Sequence, residues 1–399
     1  MSEKSVSMDY ADVVIVGGGI VGSAVAYFLS IAEGAAARRV VIVERDRTYA
    51  EASTARSAGG LRQQFTTAEN IAMSHFMLDL FRRLEAVFGP GADVGFREQG
   101  YLLLAAREGE ALLARNVALQ RSHQADILLL RKSALTQRFA WLATDGLAAG
   151  AFGASGEGWF DPASLAALMR TVARDRGVAV IHDRVTGIDV AEHVKAAVLA
   201  SGSYLRCAHL VNAAGAWAGE LAELAGVRLP VEPRKRYVYV IDCRKATGAL
   251  HKAPLTVDPS GVWFRPEGRF FLCGKSPKED QEPPARDLDQ IDHAFFENDV
   301  WPLLAARVPA FEEVKVVNAW AGYYDTNTLD HNAIIGAHPH IRNFYFANGF
   351  SGHGAQQGAA AGRAIAELIV EGAFKTIDLT RFGYQRITDE RPLLEQNVI

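Results

Sequence analysis

Residues 12–44 read DVVIVGGGIVGSAVAYFLSIAEGAAARRVVIVE, and the fold turns on that stretch. Residues 12–16 form a short β-branched run, the pattern of a strand buried on both faces. Gly17-x-Gly19-x-x-Gly22 interrupts it, residues 23–33 follow as an Ala- and Leu-rich helix, and residues 40–43 form a second apolar strand ended by Glu44. This is a βαβ unit, whose crossover is right-handed. The connection through residues 34–39 is long for a tight turn and leaves room for the helix to run on into its alanines. A bare GxGxxG is weak evidence, because a Gly-rich βα turn can exist without a ligand. Here each part has a mechanical reason. Gly17 permits the turn, Gly19 lets a pyrophosphate approach the backbone, Gly22 lets helix and strand pack closely, and Glu44 can accept hydrogen bonds from an adenosine ribose. The helix N-terminus adds free N–H groups and about half a positive charge for the phosphates. The motif in this setting reads as a dinucleotide site.

Residues 13–31 carry no charge and would pass for a membrane span on hydropathy alone. The glycines clustered at the start, the preceding Asp9 and Asp12, and the absence of a basic cluster (Lys4 is the only lysine before it) argue for a strand and helix instead. The 399-residue length suggests two to three domains. A net charge of -4 gives no electrostatic case for a nucleic acid or anionic membrane partner. Cys207, Cys243 and Cys273 lie far apart without a CxxC pair, and the 11 histidines lack ligand spacing. A disulfide framework or a metal site is therefore not expected, and a reducing cytoplasm is.

Further along, helices are expected over residues 70–88, 109–124, 162–174 (capped by Asp161), 287–307 and 359–370, and strands over 101–105, 178–182, 186–190, 209–213 and 344–347. Residues 230–271 are β-rich with aromatics, and 275–289 is a polar surface loop. The β-rich blocks sit between αβ blocks, so two domains should interleave along the chain. The expected fold class is α/β plus α+β: a doubly wound, Rossmann-like domain with an interleaved antiparallel-sheet substrate domain. The first takes residues 9–95, 156–229 and 322–399, and the second 96–155 and 230–321.

The Ser/Thr/Gly-rich stretch at 52–61, after Glu44-Arg45-Asp46, can wrap a pyrophosphate and reach a flavin ring, which favours FAD over NAD. Four blocks then carry a family resemblance: DVVIVGGGIVGSAVAYFL (12–29), ASTARSAGGLRQQF (52–65), LVNAAGAWAGELAELAG (210–226) and NFYFANGFSGHGAQQGAAAGRAIAEL (343–368). They resemble the D-amino acid oxidase, glycine oxidase and sarcosine oxidase superfamily of FAD amine oxidoreductases, most of all its sarcosine-oxidase-like and FAD-dependent-oxidoreductase-domain-containing members. The resemblance implies FAD contacts from Gly17, Gly19, Ile20, Val21, Gly22, Glu44 and Arg45. It adds Ser53, Thr54, Ser57, Gly59, Gly60 and Leu61, then Val185, Ala213, Gly215 and Trp217, and finally Gly322, Gly349, Gly352, His353 and Gly354.

On local sequence Arg62 reads as a surface salt bridge or a bidentate carboxylate binder. The resemblance implies the second, beside the flavin. His353 is either loop structure or a polar partner for the ring. Tyr323 and Tyr324 either line the substrate cavity or pack, and Tyr324 joins Arg62 and His353 as a catalytic candidate. Gln356 stands where sarcosine oxidases carry a second, carboxylate-holding lysine, which puts sarcosine itself in doubt. Tyr323 lies near their flavin-linking cysteine, and Arg56 replaces the flavin-linking histidine of dimethylglycine dehydrogenases, so the FAD should be non-covalent. Leu272 matches an oxygen-activating lysine, with Lys275 on the far side of Gly274, which leans towards a dehydrogenase. The implied activity is oxidation of an amino acid or N-substituted amino acid to an imine, by hydride transfer from Cα to flavin N5, with O2 or another electron acceptor. Two rivals stand beside it: a flavoprotein assembly or scaffold factor with little turnover, and an NAD-dependent dehydrogenase. An open cavity with Arg62 in its wall separates the enzyme from the scaffold.

Overall fold

The computed structural model describes residues 9–395. The strand Tyr10–Val16 lies parallel between Val40–Glu44 and Tyr204–Asn212. Its position in mid-sheet, covered on both faces, is what its β-branched run requires. Ala179–His182 extends the sheet beyond Val40–Glu44, and Phe344–Asn348 followed by Ile334–Ala337 extend it on the other side. The antiparallel pair Val185–Val190 and Val194–Leu199 joins through Tyr204–Asn212. The helix Ile20–Ile31 packs on one face, against Pro162–Asp175 and Gly354–Glu371. Gly362 permits that approach: a Cβ there would overlap Ala24. The uncharged stretch 13–31 is a core strand and helix, as expected, and among the described residues no helix is long and apolar enough to cross a membrane.

The second sheet runs in the order Lys315–Asn327, Val231–Asp242, Phe270–Gly274, Trp263–Glu267, Leu255–Val257, Tyr101–Ala105, Ala149–Gly153, Ile127–Arg131. All its pairings are antiparallel except Leu255–Val257 with Tyr101–Ala105. One face carries Tyr239, Phe264 and Phe271, among the aromatics that made residues 230–271 read as β, and the two phenylalanines pack on Phe311. The first sheet therefore draws strands from the beginning, middle and end of the chain, and the second from between. A small ladder, Gly60–Leu61 against Gly158–Trp159, stands apart from both.

Several boundaries differ from expectation. The helix over 70–88 breaks at Arg83 into Ala68–Arg82 and Leu84–Phe88. Residues 287–292 are not helical, and helix begins only at His293, where the Asp292 carboxylate caps Phe295 N. The alanines after Gly34 form a separate turn, Ala35–Ala37, because Gly34 is left-handed at φ 71°. The last long helix starts at Gly354, inside the glycine loop and not after it. Lys315–Asn327 runs unbroken across residue 322, so the division expected there falls within a strand. Residues 396–399 of the last expected segment lie outside the described residues.

Candidate active site

A cavity of about 600 Å³ runs from the glycine motif to the inner face of the second sheet. At the motif end the three glycines do different work. Gly17, at φ 102°, lies so close to Ala213 O that no Cβ fits, and a Cβ on Gly22 would overlap Gly17 O. On Gly19 a Cβ would meet only Thr54 Oγ1, at 3.2 Å, so its open side faces the cavity. Thr54 Oγ1 accepts Ile20 N at 2.9 Å, while Glu44 accepts Gly18 N at 2.6 Å and Asp46 N at 2.9 Å. Arg45 lies over the Trp217 ring at 3.5 Å. Arg170 braces the loop from outside, its Nη1 donating to Gly18 O at 3.0 Å and Ser23 Oγ at 3.1 Å. Nothing in the local sequence marked Arg170, whose contact exists only once the helix Pro162–Asp175 packs on Ile20–Ile31.

At the other end Arg62 extends the strand Gly60–Leu61 and is buried. Its Nη2 lies 3.0 Å from His353 Nε2 and its guanidinium 4.7 Å over the Phe65 ring, and it hydrogen bonds with Tyr101. Burial first, then the Arg62 charge, push the His353 pKa well below the usual histidine range. The ring is therefore neutral, and because guanidinium only donates, Nε2 is the acceptor. The Gln356 side chain turns to the main chain, Oε1 accepting Arg62 N at 2.8 Å. Tyr324 is half-buried, packs against Gly352 and feels both Arg62 and Arg236, while desolvation raises its hydroxyl pKa. Asp325 Oδ2 accepts Gly349 N at 2.8 Å and Phe350 N at 3.2 Å, which shapes the loop leading into the helix Gly354–Glu371. Burial pushes the Asp325 carboxyl up to about 6.

The cavity brings together Arg62, Tyr324, His353 and all the expected cofactor residues except three. Gly22 serves packing, Leu61 turns into the core beside Phe160, and Gly349 faces Val231 and Asn327 while its amide goes to Asp325. Tyr101, Arg236 and Tyr237 also line the wall and were not among the expected site residues, and Trp263 and Lys275 line it too. Leu272 instead packs with Val238 and Val240, so Lys275 is the residue of that strand end that reaches the cavity. Arg56 donates to Ala50 O and Ala321 O, and all three cysteines are free and buried away from the cavity. Among the described residues no His/Cys/Asp/Glu group could hold a metal. The open flank of Gly19, the helix N-terminus at Ile20 and the Glu44 carboxylate fit a pyrophosphate-linked dinucleotide.

The family described as FAD dependent oxidoreductase (DAO) matches residues 12–368. FAD-dependent oxidoreductase domain-containing protein 1 of Xenopus laevis is 43% identical over 426 residues, covering 98% of this chain and 85% of that protein. Mitochondrial dimethylglycine dehydrogenase of Rattus norvegicus is 27% identical, over 94% of this chain and 45% of that protein. The crystal structure of L-proline dehydrogenase from P. horikoshii superposes with a TM-score of 0.83 at 22% identity, over 96% of this chain and 99% of that one.

Proposed function

The chain belongs to the FAD dependent oxidoreductase (DAO) family, and on that premise we propose that it oxidises an amino acid or N-substituted amino acid to its imine, which water then hydrolyses. The observation that carries this reading is a buried arginine, Arg62, in the wall of the same cavity that holds the dinucleotide motif. Bound FAD supplies the two-electron oxidation. Gly17, Gly19, Glu44, Thr54 and the Gly352–Gly354 turn would hold it, without a covalent link, since neither Tyr323 nor Arg56 offers the nucleophile used elsewhere.

The chain's own residues bind and orient the substrate. Arg62 receives the carboxylate through its planar fork. His353 Nε2 takes one of the guanidinium hydrogens and so fixes which edge of the fork faces the cavity. The Arg62 charge favours the neutral, reactive form of an amine held beside it and removes the need for a strong side-chain base, while Arg236 in the same wall is paired with Glu282. The main-chain amides at the start of Gly354–Glu371 aim a positive dipole at the same space.

The FAD requirement of the family sets aside a nicotinamide dehydrogenase. A scaffold role would be favoured by an occluded cavity, whereas this one is open with Arg62 in its wall. The likeness to dimethylglycine dehydrogenase supports an N-substituted substrate. The test is a screen of amino acids for anaerobic bleaching of the flavin, repeated with Arg62→Ala and Arg62→Lys. Losing the partner of a buried carboxylate costs on the order of 2–5 kcal/mol. That is a drop in reductive kcat/KM of roughly 30- to several thousand-fold, with Lys intermediate and flavin content unchanged. Reduction of Arg62→Ala at the wild-type rate and substrate Kd would refute the amino-acid reading and favour the scaffold.

A further inference from the structure

Glu157 lies behind Arg62 and is fully buried outside the cavity wall. In the ladder Gly60–Leu61 against Gly158–Trp159, Leu61 stands opposite Gly158, so the next residues on the two chains are Arg62 and Glu157. The Glu157 carboxylate clamps the chain that follows Arg62: Oε1 accepts Gln63 N at 2.5 Å and Oε2 accepts Gln64 Nε2 at 2.8 Å. Gln64 Nε2 also donates to Tyr101 O at 3.2 Å, and Tyr101 in turn hydrogen bonds with Arg62. Gly153 leaves the slot open, since a Cβ there would overlap the carboxylate. The carboxylate also interacts electrostatically with Arg62.

A substrate carboxylate arriving from the cavity would thus place one guanidinium between two carboxylates, the inner of which has no access to water. We propose that seating a carboxylate on Arg62 draws a proton from solvent onto Glu157, so that substrate recognition is coupled to proton uptake. This rests on the carboxylate reading of Arg62.

The other groups that face this cluster are poor acceptors of that proton near neutrality. His353 is held neutral beside Arg62, and burial raises the hydroxyls of Tyr101 and Tyr324. Arg265 sits farther back, over the Trp159 ring, and Glu98 accepts Gly156 N at the edge of the cluster. Asp325 is a competing carboxyl in the wall, pushed up to about 6 but already engaged by two amides. Burial pushes the Glu157 carboxyl up to about 7, where the arrival of a second carboxylate tips it to the protonated form.

The experiment titrates the FAD-loaded protein with propionate, a carboxylate without an amine, following flavin absorbance between about pH 6 and pH 9. Calorimetry in buffers of different ionisation heat counts the protons. Uptake should approach one proton per propionate on the alkaline side, with affinity falling up to about tenfold per pH unit there. Glu157→Gln should abolish the uptake and flatten the profile, while Asp325→Asn should leave both in place. The proposal is overturned if wild type takes up no proton, if Glu157→Gln takes up as many as wild type, or if Asp325→Asn is the variant that removes the uptake. The wild-type proton count alone decides the first point even if a variant fails to fold. If propionate and other simple carboxylates leave the wild-type flavin unperturbed at every pH, the carboxylate reading of Arg62 falls and takes this inference with it.

Discussion

Replacing single glycines of the motif with alanine should separate folding from cofactor binding. On Gly22 the new Cβ would overlap the Gly17 carbonyl oxygen and sit 3.3 Å from Ile15 Cγ2. Both belong to the strand and turn beneath the helix, so neither can step aside without lifting Ile20–Ile31 off the sheet. That helix is also pinned from above by Gly354–Glu371, through Gly362 against Ala24. Overpacking with no flexible neighbour belongs at the upper end of the usual range, about 3 kcal/mol or more. On Gly19 the only neighbour is Thr54 Oγ1 at 3.2 Å, so the apoprotein should tolerate the methyl. The methyl would instead project into the space left for the pyrophosphate. If it costs about 1–3 kcal/mol there, FAD affinity falls roughly five- to 150-fold. The assay is thermal unfolding of flavin-stripped protein alongside FAD titration by fluorescence quenching. Gly22→Ala should lower the apoprotein Tm, and Gly19→Ala should leave it in place while weakening FAD. A Gly19→Ala variant with wild-type FAD affinity, or a Gly22→Ala variant as stable as wild type, would refute this account of the loop.

Acid or heat precipitation should release all the yellow colour into the supernatant, because Arg56 and Tyr323 stand where a flavin-linking histidine or cysteine is expected; colour retained in the pellet counts against it. The three separate buried thiols should give a Tm that does not respond to reductant. Between about pH 5 and 8 the Glu157 and Asp325 contribution to stability should fall as pH rises, while that of the neutral, buried His353 runs the other way. Glu157 and Asp325 bind protons more tightly folded than unfolded, so their stabilising contribution is complete below the unfolded carboxyl values and is lost as pH climbs through about 7 and about 6. For Glu157 the loss is about 3 kcal/mol, and Glu157→Gln should show a visibly flatter Tm profile.

What the sequence made legible was local. The strand, glycine turn and helix of residues 10–31 follow from contiguous residues, as does the helix capped by Asp161, whose carboxylate accepts Ala163 N. Glu44 was legible because the spacing of a βαβ unit is fixed. Residues joined only by tertiary packing were not. Arg170 reaches Gly18 from 152 positions away, and Glu157 reaches Gln63 from 94. No periodicity encodes such pairs, and Glu157, next to Gly156 and Gly158, looks like part of a polar turn. The start of the last helix was missed for a different reason. Glycine is a poor helix former, and here the helix begins at Gly354 because Phe350 packs against it and the His353 carbonyl accepts the first helical amides, Gln356 N and Gln357 N.

The threading of the first sheet also sets an order of events during synthesis. The glycine turn and Glu44 leave the ribosome early, yet Tyr10–Val16 needs Tyr204–Asn212 as its neighbour, and the far wall of the cavity waits for Gly352 and His353. At about 5–20 residues per second, the interval between the two ends of the site is roughly a quarter of a minute to a minute. Until Tyr204–Asn212 emerges, a little over halfway through that time, the apolar edge of Tyr10–Val16 has no partner on one side, and until Gly352 and His353 follow the nascent chain can grip only the phosphate end of the cofactor. Flavin capture is therefore a late event that seals a nearly finished molecule, and a shortage of FAD would be felt as a protein completed but unclosed, exposed to proteolysis between its interleaved segments.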